Sequence, residues 1–192
     1  MDEELLKEVK GLLPYIAIAA IVVGGYYGVK NHLESKRSAA SQAIVNSLTA
    51  EELEDAVSKY GSMSAGGVLK MRLAKQYFDT ARYEEALAQY EDLAKNPPDG
   101  FEDVPVVGKA QTLEAMGKYD EAFAAFDKFA SEKPNNYLTL TAQLGAARCL
   151  AEKGDKKAAL ERLAALKAQK TDDISKARIE VTEDCVQRYV KK

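Results

Sequence analysis

Residues 110–134 read AQTLEAMGKYDEAFAAFDKFASEKP, and small and apolar residues recur in them at helical spacing. Gly117 separates two such runs, and Pro134 follows the second run. Glycine is favoured just after the C-terminus of a helix, and proline cannot continue a helix. The segment therefore predicts two short helices joined by a tight turn.

The same pattern occurs three times along the chain. In each copy an alanine is followed four positions later by a large residue, and the second copy lies 36 residues after the first. The third copy is weaker and lies a further 37 residues on. The matching positions are Tyr83, Ala86 and Tyr90 in the first copy, Tyr119, Ala122 and Phe126 in the second, and Ala159 and Leu163 in the third.

This pattern resembles the tetratricopeptide repeat, in which a unit of about 34 residues forms two antiparallel helices. Small residues are expected where paired helices cross, because a larger side chain would push the backbones apart. The predicted fold is all-α, a tetratricopeptide-like solenoid of about three helix pairs with a capping helix that begins near Thr49 and another over residues 174–190. The small positions are Ala74, Ala86, Ala110, Ala122, Ala147 and Ala159.

Residues 11–29 read GLLPYIAIAAIVVGGYYGV and contain no charged residue. A helix of this length approaches the roughly 30 Å thickness of the hydrocarbon layer of a bilayer. A cleavable signal peptide would need a basic start and a small-residue cleavage site, whereas this start is acidic and the run ends in Gly28-Val29-Lys30. A buried core helix is disfavoured because the run is apolar on every face. We therefore expect an uncleaved transmembrane helix over residues 11–30, after a short tail over residues 1–10.

One face of this expected membrane helix carries Ala20, Gly24 and Gly28, at intervals of four residues. Such a face would let another membrane helix approach closely, although the glycine pair at positions 24 and 25 is equally compatible with a bend. Lysine and arginine flank the two ends of the run in nearly equal number, so charge does not predict the orientation. Two segments are expected to follow, a stalk or continuation of the helix over residues 31–48 and the repeat domain over residues 49–192.

The order of these parts resembles a known family. The apolar run ends in Tyr27-x-x-x-Asn31-His32, and the first repeat contains Tyr60-Gly61 and Gln76-Tyr77-Phe78-Asp79. Together with the acidic tail and the degenerate repeats, these residues resemble the bacterial ancillary SecYEG translocon subunit of the YfgM type. The resemblance implies a single-pass inner-membrane protein with a cytoplasmic N-terminus and a periplasmic repeat domain. It also implies a chaperone or adaptor role beside the Sec translocon, with translocon subunits, periplasmic chaperones or exported clients as partners.

The composition disfavours catalysis and nucleic-acid binding. One histidine and two cysteines leave little from which to build a metal site or a nucleophile–base pair. The net charge of -3 argues against binding to nucleic-acid phosphates. We therefore expect a non-enzymatic protein-binding module with no cofactor, no metal, no nucleic acid and no small-molecule substrate. A structural scaffold for cell-envelope assembly or division complexes is the alternative.

A candidate binding surface follows from the predicted stack. The inner surface of such a stack is lined mainly by the first helix of each pair. Apolar side chains there would take client segments, and Lys75 and Arg148 would steer acidic groups. The alternative is that several of these residues only pack against the capping helices. The candidate groove residues are Met71, Lys75, Phe78, Val107, Gln111, Glu114, Leu144 and Arg148.

The two cysteines, Cys149 and Cys185, are 36 residues apart, which is about one repeat and predicts positions on neighbouring helices. In an oxidising compartment a disulfide between them would tie the terminal helix to the third repeat. Two buried free thiols are the favoured interpretation, because helical positions seldom bring the Cβ atoms within bonding range.

Overall fold

The computed structural model describes residues 3–63, 66–169 and 172–189, and over these residues its regular structure is entirely α-helical. The side chains of residues 1–17 and 189–192 lie outside the described part. The predicted all-α fold is confirmed. The helices of the described chain are α1 (Glu3–Asn46), α2 (Ala50–Tyr60), α3 (Gly66–Asp79), α4 (Tyr83–Lys95), α5 (Val104–Ala115), α6 (Tyr119–Glu132), α7 (Thr139–Glu152), α8 (Lys156–Gln169) and α9 (Asp173–Tyr189).

Three helix pairs form the middle of the stack, and each pair contains one copy of the sequence repeat. The pairs are α3 with α4, α5 with α6, and α7 with α8, and the first helices α3, α5 and α7 lie side by side. The second helices end at Lys95 and Glu132, shortly before Pro98 and Pro134. The end of α1 and α2 cover one end of the stack, and α9 covers the other.

Small residues let neighbouring helices come close. The alanines predicted at the helix crossings are all buried. Between repeats, glycines face aromatic rings: a Cβ atom built on Gly108 would lie 2.6 Å from the ring of Tyr90, and one built on Gly145 would lie 2.6 Å from the ring of Phe126. Real Cβ atoms do not come that close, so the rings occupy space that only glycine leaves open. Tyr90 and Phe126 thus fill the gap toward the next repeat, as the sequence predicts.

The turn inside each pair contains one residue with a left-handed backbone. These residues are Ala81 with φ of 59°, Gly117 with φ of 75° and Gly154 with φ of 91°. In each turn the next amide donates to the carbonyl oxygen five residues earlier, as Lys118 does to Leu113 at 2.9 Å. This is the Schellman arrangement, which favours glycine at the left-handed position. The first turn therefore holds an alanine where the other two hold glycine.

The two capping helices lie where the sequence predicts them. Thr49 begins α2 with a capping box, because its hydroxyl accepts from the Glu52 amide at 3.2 Å while the Glu52 carboxylate accepts from the Thr49 amide at 3.2 Å. Hydrogen bonds from the backbone amides of Leu48 and Thr49 lower the pKa of Glu52. At the other end α9 buries Ile179 and Val186 against the third pair. Val190, the predicted end of this helix, lies outside the described residues.

The first helix, α1, runs without interruption from Glu3 to Asn46, so residues 31–46 continue it and its backbone stays helical through Gly24 and Gly25. Among its described side chains, those near its end pack on the stack: Ala40 is buried, and Ala43 and Ile44 contact the first core cluster. Over the described part of the chain, no helix combines the length and the apolar character needed to cross a membrane. The predicted transmembrane helix is not confirmed, and the side chains of residues 11–17 of that prediction lie outside the described ones.

The left-handed turns give a first prediction. Replacing Ala81 by glycine should raise the free energy of unfolding by about 1 kcal/mol, because the strain of a Cβ atom in a left-handed conformation disappears. Gly117→Ala and Gly154→Ala should lower it by about the same amount, since both glycines have the same conformation. Urea unfolding followed by circular dichroism measures these changes. The control is Ala88→Gly in the exposed middle of α4, which should destabilise the protein; a loss of stability for Ala81→Gly as well would contradict the strain.

The contact between Phe126 and Gly145 gives a second prediction. Gly145→Ala should lower the free energy of unfolding by about 1–2 kcal/mol, although alanine is the better helix former, because its methyl group meets the ring. Adding Phe126→Leu should recover part of that loss, since the smaller side chain makes room. A double-mutant cycle in urea measures the coupling. Additive effects of the two substitutions would show that the ring does not determine how close the helices come.

Candidate protein-binding groove

The candidate groove lies on the first helices of the repeats, α3, α5 and α7. These helices contact one another in order, and the repeat spacing aligns Lys75, Gln111 and Arg148 at equivalent positions on them. Counting on by 37 residues reaches Cys185 on α9, which packs beside α7 as the next first helix would. The groove surface therefore extends over four helices, one more than the sequence prediction included.

Two of the predicted apolar groove residues belong mainly to the core. Val107 is only 3% exposed and packs in the core cluster of Phe126 and Ala146. Leu144 is also buried, in the core cluster of the third pair and α9. The expectation that Val107 offers apolar surface to a client is wrong. Leu144 still lines one cavity, which lies between α7 and α9.

An ion pair occupies the centre of the groove. The guanidinium of Arg148 on α7 donates to both carboxylate oxygens of Glu114 on α5, at 2.6 and 2.7 Å. Burial lowers the pKa of Arg148, but the hydrogen bond and the charge of Glu114 outweigh burial and raise it overall. Both side chains are mostly buried. The Arg148 charge is thus neutralised within the groove, which corrects the expectation that it steers acidic partners on its own.

The α3 end of the groove is formed by half-buried side chains and a local ion pair. Lys75 pairs with Asp79 on its own helix, and its ammonium lies 5.9 Å from the ring centre of Phe78. Phe78 in turn packs edge-to-face on Tyr83, with 5.7 Å between the ring centres. Met71 packs against the first core cluster. This end therefore presents an aromatic ring and a methionine that other residues already hold in place.

The α9 end of the groove offers open apolar surface. A shallow, open cavity of about 360 Å³ lies between α7 and α9, and a second shallow one of about 400 Å³ lies further along α9. Val181 lines both cavities and is 72% exposed. Arg178 holds the two helices together by donating to the Thr141 hydroxyl at 2.9 Å. The first cavity is lined by Leu144, Arg148, Ala177, Arg178, Val181 and Thr182, and the second by Val181, Asp184, Cys185 and Arg188.

The sequence prediction missed the α9 residues because it treated residues 174–190 as a cap alone. The signal was available, since Val181 follows Leu144 by the same 37 residues that separate Arg148 from Cys185. A cap that repeats the spacing of the first helices also repeats their inner surface. The α9 surface can therefore be recognised by extending the repeat one step.

Both cysteines are free thiols, and they differ in exposure. Cys149 is buried, and burial raises its pKa to about 12. Cys185 is exposed, so the expectation of two buried thiols is correct for Cys149 and wrong for Cys185.

The face of α1 predicted to contact another helix is open in the structure. Ala20 is exposed, and a Cβ atom on Gly24 or Gly28 would meet no other group within 4 Å. Nothing within the described chain covers this face. Its role in helix contact stays a prediction.

The comparison with protein families agrees with the repeat architecture. A model of the tetratricopeptide repeat family matches residues 113–178, from the end of α5 into α9. No curated protein and no solved structure gives a significant match. The match covers about a third of the chain and supports tetratricopeptide repeats in that part.

The central ion pair gives a third prediction. Glu114→Ala should lower the free energy of unfolding by about 1–3 kcal/mol, because it leaves the Arg148 guanidinium mostly buried without its carboxylate. The double variant Glu114→Ala with Arg148→Ala should lose less than the sum of the two single variants. Urea unfolding of all four proteins measures the coupling. Lys157→Ala serves as the control at an exposed ion pair on α8 and should change stability little.

Proposed function

We propose that this chain is a membrane-anchored, non-enzymatic module that binds segments of other proteins in the groove on its first helices. The single observation that carries the proposal is the uncovered apolar surface at the α9 end of the groove, where Val181 lines two adjoining cavities. An exposed aliphatic side chain beside concave surface, as Val181 is here, favours an apolar anchor residue from a partner. Core residues of α7 and α9, among them Leu144 and Ile179, hold this surface in place without a partner.

The chemistry of the groove describes the segment that fits it. Arg178 and Arg188 lie on either side of Val181, and Arg188 is paired with Asp184 on its own helix. Arg178 forms no ion pair with the described residues, since it donates to a hydroxyl group. An apolar side chain seated on Val181 with an acidic group directed to Arg178 would satisfy both features. The proposed client is therefore an exposed segment in which apolar and acidic residues alternate or adjoin.

The proposed anchor is the apolar part of α1. The described side chains between Ile18 and Val29 include five aliphatic residues and two tyrosines, each more than half exposed, on several faces of the helix. A helix that is apolar all round and touches nothing calls for an apolar environment. The uncharged run over residues 11–29 supports a bilayer as that environment.

The resemblance to the ancillary translocon subunit supports a more specific assignment. We infer that the N-terminus is cytoplasmic, that the repeat stack is periplasmic at the inner membrane, and that the module acts as a chaperone or adaptor for exported envelope proteins at the Sec translocon. A tether of this kind raises the local concentration of the groove beside emerging segments. Transient binding follows from a small apolar surface beside Arg178, which has no ion-pair partner among the described residues.

Crosslinking from within the groove tests the proposal. A photoreactive amino acid at Val181, in the full chain expressed in bacterial cells, should capture many different exported proteins, each in small amount, together with translocon subunits. The same amino acid at Lys157, exposed on α8, is the matched control and should capture few of them.

The outcomes separate the two functional alternatives. One folded partner captured in equal amount with the chain would favour the structural scaffold for envelope assembly or division. Equal capture from Val181 and Lys157 would refute the groove. Capture of cytosolic proteins alone would refute the periplasmic placement.

A further inference from the structure

The direction of α1 determines which side of the stack faces the proposed anchor. We call one side of the stack the loop edge; it is formed by loops 96–103 and 133–138 and by the start of α9. We call the opposite side the turn edge; it is formed by turns 47–49, 80–82, 116–118 and 153–155. In an α-solenoid the first helices all run from the loop edge to the turn edge. The last turns of α1 pack in the same way and end at the turn edge, so α1 enters the stack from the loop edge.

The length of α2 sets the level at which α1 leaves the stack. The turn at residues 47–49 joins the two helices, and α2 has 11 residues, so Tyr60 at its far end lies level with about residue 37 of α1. Burial agrees, because Ala40 is fully buried and the described side chains before residue 39 are exposed. The part of α1 before residue 37 therefore projects beyond the loop edge.

The projecting part brings the end of the apolar run close to the loop edge. Val29 precedes residue 37 by eight residues, which is about 12 Å of helix. The headgroup layer on one side of a bilayer is roughly 5–8 Å thick. If the apolar run lies in the hydrocarbon layer, the headgroups take up much of the distance between Val29 and the loop edge. The gap that remains between the headgroups and the loop edge is short enough for side chains of the loops to span.

A row of exposed apolar residues lies on this edge. Phe101 is 43% exposed, Tyr137 is 67% exposed and Ile174 is 78% exposed. They are 36 and 37 residues apart, so they occupy equivalent positions in successive repeats. None of them contributes to the three core clusters of the described residues. Aromatic side chains of this kind favour the headgroup level of a membrane.

The charges of the loop edge point to apolar rather than electrostatic contact. Acidic residues predominate there, with Asp99, Glu102 and Asp103 in the first loop and Asp172 and Asp173 at the start of α9, against the basic Lys133 and Lys176. Because the edge is mostly acidic, like charges repel an anionic partner there. A neutral lipid surface fits the row better than an acidic protein or nucleic acid does.

We propose that the loop edge rests on the lipid surface through Phe101, Tyr137 and Ile174, and so holds the groove at a fixed height and tilt above the membrane. The inference rests on the proposed anchor, since α1 supplies both the direction and the distance. It assigns a second, peripheral membrane contact to the repeat stack itself.

Tryptophan fluorescence tests this contact, because the chain contains no tryptophan. The full chain is reconstituted in phosphatidylcholine vesicles with single substitutions Phe101→Trp or Tyr137→Trp, and brominated lipids serve as quenchers. Each tryptophan should lose roughly half of its emission and shift to shorter wavelength, as side chains at the interface do. The substitution Leu48→Trp on the turn edge is the matched control, since Leu48 is 72% exposed, close to the 67% of Tyr137, and it should stay unquenched.

A fourth variant, Tyr26→Trp, reports on the anchor separately. Quenching of Tyr26→Trp with both loop-edge variants behaving like Leu48→Trp would overturn the surface contact and leave the anchor intact. No quenching of Tyr26→Trp would overturn the anchor and the contact that rests on it. Response of the loop-edge tryptophans to an added protein but not to lipid would assign the row to a protein partner and refute the proposal. Because two loop-edge positions are tested, misfolding of one variant leaves the other to decide.

Discussion

The whole stack depends on how closely one helix pair can approach the next. Alanine at the crossings inside each pair and glycine opposite Tyr90 and Phe126 between pairs set that distance. A ring that fills the space above a glycine leaves no freedom for the neighbouring pair to slide, because protein interiors tolerate little overlap. The spacing of the first helices follows from these contacts. Core residues thus fix the shape of the groove surface.

The groove differs along its length for the same reason. In the middle, Glu114 and Arg148 satisfy each other, and at the α3 end Phe78 and Lys75 are held by their neighbours. The mostly buried pair of Glu114 and Arg148 has already lost most of its water and gained its partner, so it contributes more to rigidity than to new binding. At the α9 end no further repeat follows within the described residues, and Val181 remains open. The end of the repeat array, rather than its middle, offers the surface that binding can use.

The fold was largely predictable because its signals are local. Helix ends follow from Thr49, from the glycines at 117 and 154 and from Pro98 and Pro134, and the repeat spacing fixes how the pairs follow one another. The site was less predictable, because the burial of a side chain depends on which other helices pack around its own helix. Val107 has the same spacing as Met71, yet it lies in the core while Met71 is half-buried. The pairing of Glu114 with Arg148 also needs the side-chain geometry across two helices, which spacing alone does not provide.

Uninterrupted helix between the apolar run and the stack has a consequence for evolution and for engineering. An α-helix turns by about 100° and advances by about 1.5 Å with each residue, so one residue inserted between Val29 and Ala40 would swing the stack about the helix axis and lift it slightly. Substitutions in that segment leave this phase untouched, whereas insertions and deletions reset it. Changes of about seven residues, close to two full turns, or of about eleven, close to three, return the groove to nearly the same azimuth. The number of residues in this segment therefore sets the direction in which the groove faces, whichever side chains the segment contains.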